Sequence, residues 1–280
     1  MDTVSRYGQQ LWVIGSPISH TLSPPIHNAA FEAADLPHRY FALEVERDEL
    51  EMFLSVFREL NALGANLTLP LKQAVREHVD TESESVTRTG AANTLYWDED
   101  GDLSLENTDV YGFKQLVTPF RDRMKSDPVL LLGAGGAARS CLQGFKEMGV
   151  TEVLLWNRTQ RKANALAERF SELPVQVLTD DGLHSGSFEA GLVVNSTSLG
   201  LEDDDPSPIP VDVISEGMYG VDLIYGRETR FQGAFSEKGD GSTGGLTMLI
   251  KQAARAWQLW TGQRPNESAM EAAAQEAGSE

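Results

Sequence analysis

Val129-Leu-Leu-Leu132 runs without a break into Gly133-Ala134-Gly135-Gly136-Ala137-Ala138, and a helical pattern follows to about Gly149. An apolar strand, a glycine-rich turn and a helix in that order place backbone N–H groups where a pyrophosphate can sit. Gly133 permits the tight turn, Gly135 lets the backbone come close to the phosphates, and the small Ala138 lets the helix pack on the strand. The next strand, Val153-Leu-Leu-Trp156, ends in Asn157-Arg158-Thr159, with Arg161 and Lys162 beyond. An NAD site closes that strand with a carboxylate for the ribose 2′-hydroxyl, whereas a guanidinium there pairs with a 2′-phosphate and stacks on adenine. The stretch from Val129 to Lys162 is therefore expected to select NADP(H) over NAD(H).

The rest of the chain sets this unit in a larger frame. Short β-like runs alternate with longer amphipathic segments over all 280 residues, which reads as an α/β protein with mainly parallel sheets. The expected elements are a strand at Leu11–Gly15, a helix from Pro24, a strand at Tyr40–Val45 and a helix from about Asp48 to Leu63. Leu50, Phe53, Leu54, Phe57 and Leu60 keep helical spacing in the last of these. A strand near Asn66–Leu69, a helix after Pro70 and a hairpin turning at Asp98–Gly101 come next. A second series opens with a helix at Val110–Met124, then strands near Val129, Val153, Val175, Leu192 and Tyr219, and gives way near Gly244 to a helix at Leu246–Thr261 and an alanine-rich one after it. Two helices cannot make a domain alone, so they are expected to return to the first half. This predicts a discontinuous α/β domain, 1–108 with 245–280, and an inserted Rossmann-type doubly wound parallel sheet over 109–244. Linkers at about Asn107–Asp109 and Gly241–Gly244 imply a cleft between the two.

Charge narrows the partners. Forty-two Asp and Glu against 23 Lys and Arg leave a net −19, with runs such as Glu202–Asp205 in predicted turns. Nucleic acid and anionic membrane both need a basic face, so neither is expected as a partner. The acidic surface serves solubility, or on a sharper reading adaptation to high salt, where counterions screen its self-repulsion. No apolar run approaches the ~18 residues of a membrane span, the amino terminus lacks a signal pattern, and one cysteine, Cys141, allows no internal disulfide, which together point to the cytoplasm. Five histidines and that cysteine give no metal-ligand spacing, so no metal is expected.

Hydride transfer needs a proton donor or acceptor beside the carbonyl. Lys72, just past a strand end, and Asp109, where the second series begins, are the candidates. Taken singly, Lys72 equally fits a solvated first-turn lysine, Asp109 a helix cap, and Ser23, before Pro24, an N-cap. His20 and His27 are read as ordering a loop and a helix start.

Gly15–Asn28, Gly64–Lys72, Ala92-Asn93-Thr94 and Asn107-Thr108-Asp109 closely resemble the shikimate dehydrogenase family. So do the glycine turn, Asn157-Arg158-Thr159, Asn195-Ser196-Thr197, Tyr225 and the helix start Gly245-Leu-Thr-Met248 with Gln252, in order along nearly the whole chain. The resemblance implies the reversible NADPH-dependent reduction of 3-dehydroshikimate to shikimate, a step of aromatic amino-acid biosynthesis. It implies that Lys72 is the general acid and that Asp109 orients it and bonds a ring hydroxyl. Thr21, Ser23 and Tyr225 would hold the substrate carboxylate, while Asn66, Thr68, Asn93 and Gln252 pair with ring hydroxyls. Gly133, Ala134, Gly135, Gly136 and Ala137 would cradle the pyrophosphate, with Asn157, Arg158, Thr159 and Lys162 at the adenosine end. Thr197, Leu199, Gly245 and Met248 would frame the nicotinamide, and Leu223 would be a further cofactor contact.

The sequence departs from the family pattern at Thr21 for serine, Val110 for glycine, Arg230 for proline, and in Ser242-Thr243-Gly244-Gly245. The alternatives are a quinate/shikimate or aminoshikimate dehydrogenase, or an NADP-binding regulator without catalysis; Lys72 and Asp109 together speak against the last. A monomer or a homodimer is expected.

Overall fold

Alternating apolar residues and glycine turns produce two six-stranded sheets, one in each half of the chain, among the residues described by the computed structural model, 8–19, 21–79 and 81–278. In chain order the first half contains β1 (Gln10–Gly15), α1 (Ser23–Ala33), β2 (Arg39–Glu44), α2 (Leu50–Glu59), β3 (Gly64–Leu67), α3 (Leu71–Ala74), β4 (Thr81–Glu82), α4 (Glu84–Thr89), β5 (Thr94–Trp97), β6 (Leu103–Glu106) and α5 (Thr108–Val117). The second has α6 (Arg123–Ser126), β7 (Val129–Leu132), α7 (Gly136–Met148), β8 (Val153–Trp156), α8 (Gln160–Arg169), β9 (Val175–Val177), α9 (Asp180–Ser185), β10 (Leu192–Asn195), β11 (Tyr219–Asp222), α10 (Arg230–Lys238) and β12 (Ser242–Thr243), before α11 (Leu246–Thr261) and α12 (Glu267–Ala277) close the chain.

The first sheet has the order β2-β1-β3-β5-β6-β4 and is mixed: β2, β1 and β3 run parallel, while β5 pairs antiparallel with β3 and β6. The antiparallel hairpin is what makes the site. It brings the carboxyl end of β3, the start of β5 and the end of β6 to one end of the sheet, with Asn66 opposite Thr94 and Thr94 opposite Glu106. α2 buries Leu50, Phe53, Leu54 and Phe57 against this sheet, Phe53 meeting Trp12 edge-on. The helix ends at Glu59, short of the expected Leu63. Asn61 takes a left-handed conformation (φ 47°), which stops the helix and leaves Leu60 exposed rather than in the core. Of the carboxy-terminal helices, α11 lies against this sheet, where Trp260 donates its indole N–H to the Leu95 carbonyl at 2.8 Å and packs near His27 and Tyr40, and α12 packs on α1.

The second sheet is all parallel, β12-β11-β10-β7-β8-β9. Strand order reverses at β7, with β8 on one side and β10 on the other, the switch point at which doubly wound sheets bind ligands. The helix expected over Val110–Met124 is interrupted. α5 stops at Val117, a 3-10 turn covers Thr118–Phe120, and α6 resumes at Arg123, because Pro119 has no N–H to continue the ladder.

The chain divides into Met1–Gly112 with Ile250–Glu280, and Phe113–Leu249. Both crossings fall inside helices, α5 and α11, rather than at the expected 108/109 and 244/245. The reason lies in what each turn of the helix touches: the first turn of α5 is hydrogen-bonded to Asn93, whereas Phe113, Leu116 and Val117 enter the core of the second unit. Asp109 therefore belongs to the first unit. Among the described residues no helix is long and apolar enough to cross a membrane, and no group of three or more His, Cys, Asp or Glu could hold a metal ion.

Candidate active site

Lys72 sits in the first turn of α3 and Asp109 in the first turn of α5, and their side chains meet: Nζ lies 2.6 Å from Oδ2, with both groups only slightly exposed. Asp109 is therefore not a helix cap, and Lys72 is not a freely solvated lysine. The other carboxylate oxygen accepts from Asn93 Nδ2 at 2.9 Å. Asn93, just ahead of β5, also approaches Thr108 Oγ1 (3.0 Å) and Gln252 Oε1 (3.3 Å), while its own Oδ1 accepts the Thr108 N–H at 2.8 Å. A lysine, a carboxylate and two amides thus occupy one place at the end of the first sheet. Such a lysine can pass a proton to an oxygen placed against it while the carboxylate keeps it oriented.

Asn66 closes the same network from β3. It is buried, and both amide protons are engaged, to the Asn93 carbonyl (3.0 Å) and Thr94 Oγ1 (3.1 Å), while Oδ1 accepts from Tyr40 OH at 2.7 Å. What Asn66 can still offer is one lone pair. Thr68, half-buried, is held through its backbone N–H to the Ile14 carbonyl (2.9 Å). Thr21 and Ser23 lie together at the start of α1, where Thr21 Oγ1 accepts the Ser23 N–H at 3.2 Å. Ser23 is the first residue of α1, and the N-cap is Leu22, without a side-chain cap, so the capping role open to Ser23 is not realised. Burial keeps the Tyr40 phenol protonated well above its ordinary range. Tyr40 and Thr108 also belong to this network, although in the sequence Tyr40 reads as one more apolar strand position and Thr108 as the middle of the Asn107-Thr108-Asp109 motif.

His27 is buried in α1 with its ring stacked on Tyr40, centroids 4.4 Å apart; His20 lies outside the described residues. Burial, countered in part by Asn66, pulls the His27 imidazole from 6.5 down to about 3. The folded protein keeps this ring neutral while an unfolded chain takes up a proton below its ordinary value. Stability contributed here is therefore expected to fall as pH drops from 6.5 towards about 3, by roughly 1.4 kcal/mol per pH unit. Denaturant midpoints measured across that window should show a shallower acid limb for His27→Leu than for the parent; parallel limbs would reject the assignment.

In the second unit the glycine turn has the expected form. Gly133 has φ +111°, and a side chain there would collide with Ser196, so only glycine fits. Gly135 is exposed, caps α7, and has open space where a Cβ would stand, so the backbone is accessible to a phosphate. Ala138 is fully buried against β7. Ala134, Gly136 and Ala137 complete the turn, and the Ala134 N–H donates to Asn157 Oδ1 at 3.1 Å. Asn157 Nδ2 in turn donates to the Thr159 carbonyl (2.9 Å), tying the end of β8 to the glycine turn. Arg158, Arg161 and Lys162 are exposed there, and no salt bridge among the described residues engages them. In a chain of net charge −19, Arg158, Arg161 and Lys162 give the segment after β8 a local positive charge of the kind that attracts an anion. Thr197 and Leu199 follow β10, Leu223 and Tyr225 follow β11, and Gly245 and Met248 sit at the start of α11, all in this unit. The donor set and open glycine backbone fit a dinucleotide carrying a 2′-phosphate.

This fold and these two clusters define the class: an α/β dinucleotide-binding protein of dehydrogenase type, with a paired lysine and carboxylate on helices at the end of its first sheet. The family model for the shikimate dehydrogenase substrate-binding domain matches residues 13–95, that for shikimate/quinate 5-dehydrogenase residues 115–200, and that for the shikimate 5′-dehydrogenase C-terminal domain residues 245–275. A shikimate dehydrogenase (NADP(+)) of Thermus thermophilus is 40% identical over 266 residues, 95% of this chain and 97% of that protein. The crystal structure of shikimate 5-dehydrogenase from Thermus thermophilus in complex with NADP(H) and shikimate is similar with a TM-score of 0.85 at 39% identity, covering 96% of this chain and 99% of that one. Quinate dehydrogenase from Corynebacterium glutamicum in complex with NAD aligns with a TM-score of 0.86 at 27% identity, covering 95% and 98%. The chain belongs to the shikimate dehydrogenase family.

Proposed function

We propose that the protein is an NADP-dependent shikimate dehydrogenase that interconverts 3-dehydroshikimate and shikimate. The Lys72–Asp109 pair at 2.6 Å carries the reading, because it supplies the proton relay that a cofactor-binding regulator would not need. In reduction Lys72 Nζ delivers a proton to the carbonyl oxygen; in oxidation it takes the proton from the hydroxyl. Asp109 keeps the ammonium oriented and Asn93 holds the far side of that carboxylate, so the donor is positioned before substrate arrives. Asn93, Gln252, Thr68 and the remaining lone pair of Asn66 are assigned to ring hydroxyls, a pattern that disfavours analogues lacking them. The hydroxyls of Thr21 and Ser23 are assigned to the substrate carboxylate.

NADP(H), when bound, supplies or accepts the hydride. The turn from Gly133 to Ala137 is assigned to its pyrophosphate, Asn157, Arg158, Thr159 and Lys162 to its phosphorylated ribose. Thr197, Leu199, Leu223, Gly245 and Met248 are assigned to its nicotinamide. The exposed, unpaired guanidinium of Arg158 favours this cofactor over NAD and so disfavours the quinate reading. Reduced-nicotinamide absorbance with shikimate or quinate, each with NADP or NAD, tests the assignment: turnover is expected to be fastest with shikimate and NADP. Faster turnover with quinate and NAD would replace this reading by the quinate one, and no turnover in any arm would remove the enzyme reading.

A further inference from the structure

Asp222, the last residue of β11, is fully buried, and the partners of its carboxylate are uncharged. Oδ1 accepts from Asn195 Nδ2 at 2.9 Å and from the Ile224 N–H at 3.1 Å, and Oδ2 accepts from Thr229 Oγ1 at 2.6 Å. The Thr229 oxygen is itself occupied as the cap of α10, accepting the Gln232 N–H at 3.1 Å, so its proton points to Asp222. Asn195, Ile224 and Thr229 all donate to the carboxylate, and the Gln232 side chain lies near enough to add to their effect. Burial pushes its pKa up while these hydrogen bonds pull it back.

Asn195, equally buried at the end of β10, extends the arrangement. Its Oδ1 accepts the Thr197 N–H (3.0 Å) and hydroxyl (2.7 Å), and its Nδ2 donates to the Leu199 carbonyl (3.1 Å) as well as to Asp222. The loop after β10 and the loop after β11 are therefore bound to one another through a single carboxylate. Packing alone does not call for this. A pair of apolar side chains would join two neighbouring parallel strands without desolvating a carboxylate. What the polar arrangement adds is directional: it sets the backbone of Thr197, Leu199 and Ile224 to within the tolerance of a hydrogen bond.

We propose that Asp222 is a positioning residue for hydride transfer, its carboxylate holding in register the two loops that orient the nicotinamide end of the cofactor. The inference rests on the assignment of Thr197, Leu199 and Leu223 to that end of NADP(H). It also predicts an asymmetry, because β10 and β8 flank β7 on opposite sides and Arg158 follows β8. Loosening the loops should disturb the nicotinamide half and spare the adenosine half.

Asp222→Asn exchanges one acceptor oxygen for an amide that must face a donor. Expected are a fall in kcat of up to about 100-fold, as a small misplacement of reacting groups produces, an unchanged KM for shikimate, and weaker binding of NADPH. Affinity for 2′-phospho-ADP-ribose, which has the adenosine half and no nicotinamide, should stay within about twofold, well under the tenfold that 1.4 kcal/mol represents. Thr229→Val removes one of the donors and should move the same quantities less; Thr229→Ser keeps the hydroxyl and should restore them. These two variants carry the test if Asp222→Asn does not fold. Equal losses for NADPH and 2′-phospho-ADP-ribose, or unaltered kcat and NADPH affinity, would overturn the proposal. If the parent itself does not turn over shikimate with NADP, the proposed function fails separately, and the contrast between the two ligands still decides the role of Asp222.

Discussion

Replacing Lys72 by methionine is expected to lower kcat by about 10²–10⁴-fold, the usual contribution of a positioned proton donor. Affinity for NADPH should change little, because every group assigned to the cofactor lies on other elements. Methionine keeps the length and apolar stem of the side chain but offers no proton, and it leaves Asp109 with Asn93 Nδ2 as its remaining partner. Lys72→Arg separates charge from chemistry: a guanidinium still pairs with Asp109 but does not give up its proton near neutrality. If orientation by charge were the whole role, arginine would rescue; the proton-donor role requires that it does not. Steady-state kcat and KM for both substrates, with a thermal melt to show that each variant is folded, provide the check. A methionine variant within tenfold of the parent would remove Lys72 from the proton relay.

Arg158→Glu should reverse cofactor selection. A charge-assisted hydrogen bond contributes about 1.5–3 kcal/mol, so kcat/KM with NADPH is expected to fall by roughly 10- to 150-fold. With NADH it should hold or rise, since a carboxylate at the end of the second strand accepts from a free ribose 2′-hydroxyl. Lys162 and Arg161 remain beside the site and keep the loss towards the lower figure. The measurement is the ratio of kcat/KM for the two cofactors. If both fell together, Arg158 would be supporting the fold of the β8 end, a task the structure gives to Asn157 through its bonds to Ala134 and Thr159.

The parts of this protein that could be read in advance are those in which cause and effect lie close along the chain. Gly133 is required by the turn it occupies, the hairpin at Asp98–Gly101 by its turn residues, and α11 begins and ends where its apolar period does. Periodicity misleads where a distant or single-residue effect overrides it. Leu60 keeps helical spacing yet is exposed, because Asn61 stops the helix first. The helix after Asp109 keeps its pattern to Met124 but is broken by Pro119, and its Phe113, Leu116 and Val117 enter the core of the second unit while its first turn bonds to Asn93. Asp222 carries no periodic or motif signal at all; its role appears only when β10 and β11 lie side by side.

By itself the sequence determined the chemistry available: a glycine turn open to phosphate, cations where a carboxylate would otherwise stand, and a lysine and an aspartate 37 residues apart. Only the tertiary structure decided which of these meet. The antiparallel hairpin of the first sheet brings Lys72, Asn93 and Asp109 to one place, and the parallel pairing of β10 with β11 turns two buried polar residues into one clamp. The physical reason is that turn geometry and charge are properties of neighbouring residues. A hydrogen bond between buried side chains depends on strand order, which no local stretch of the chain encodes.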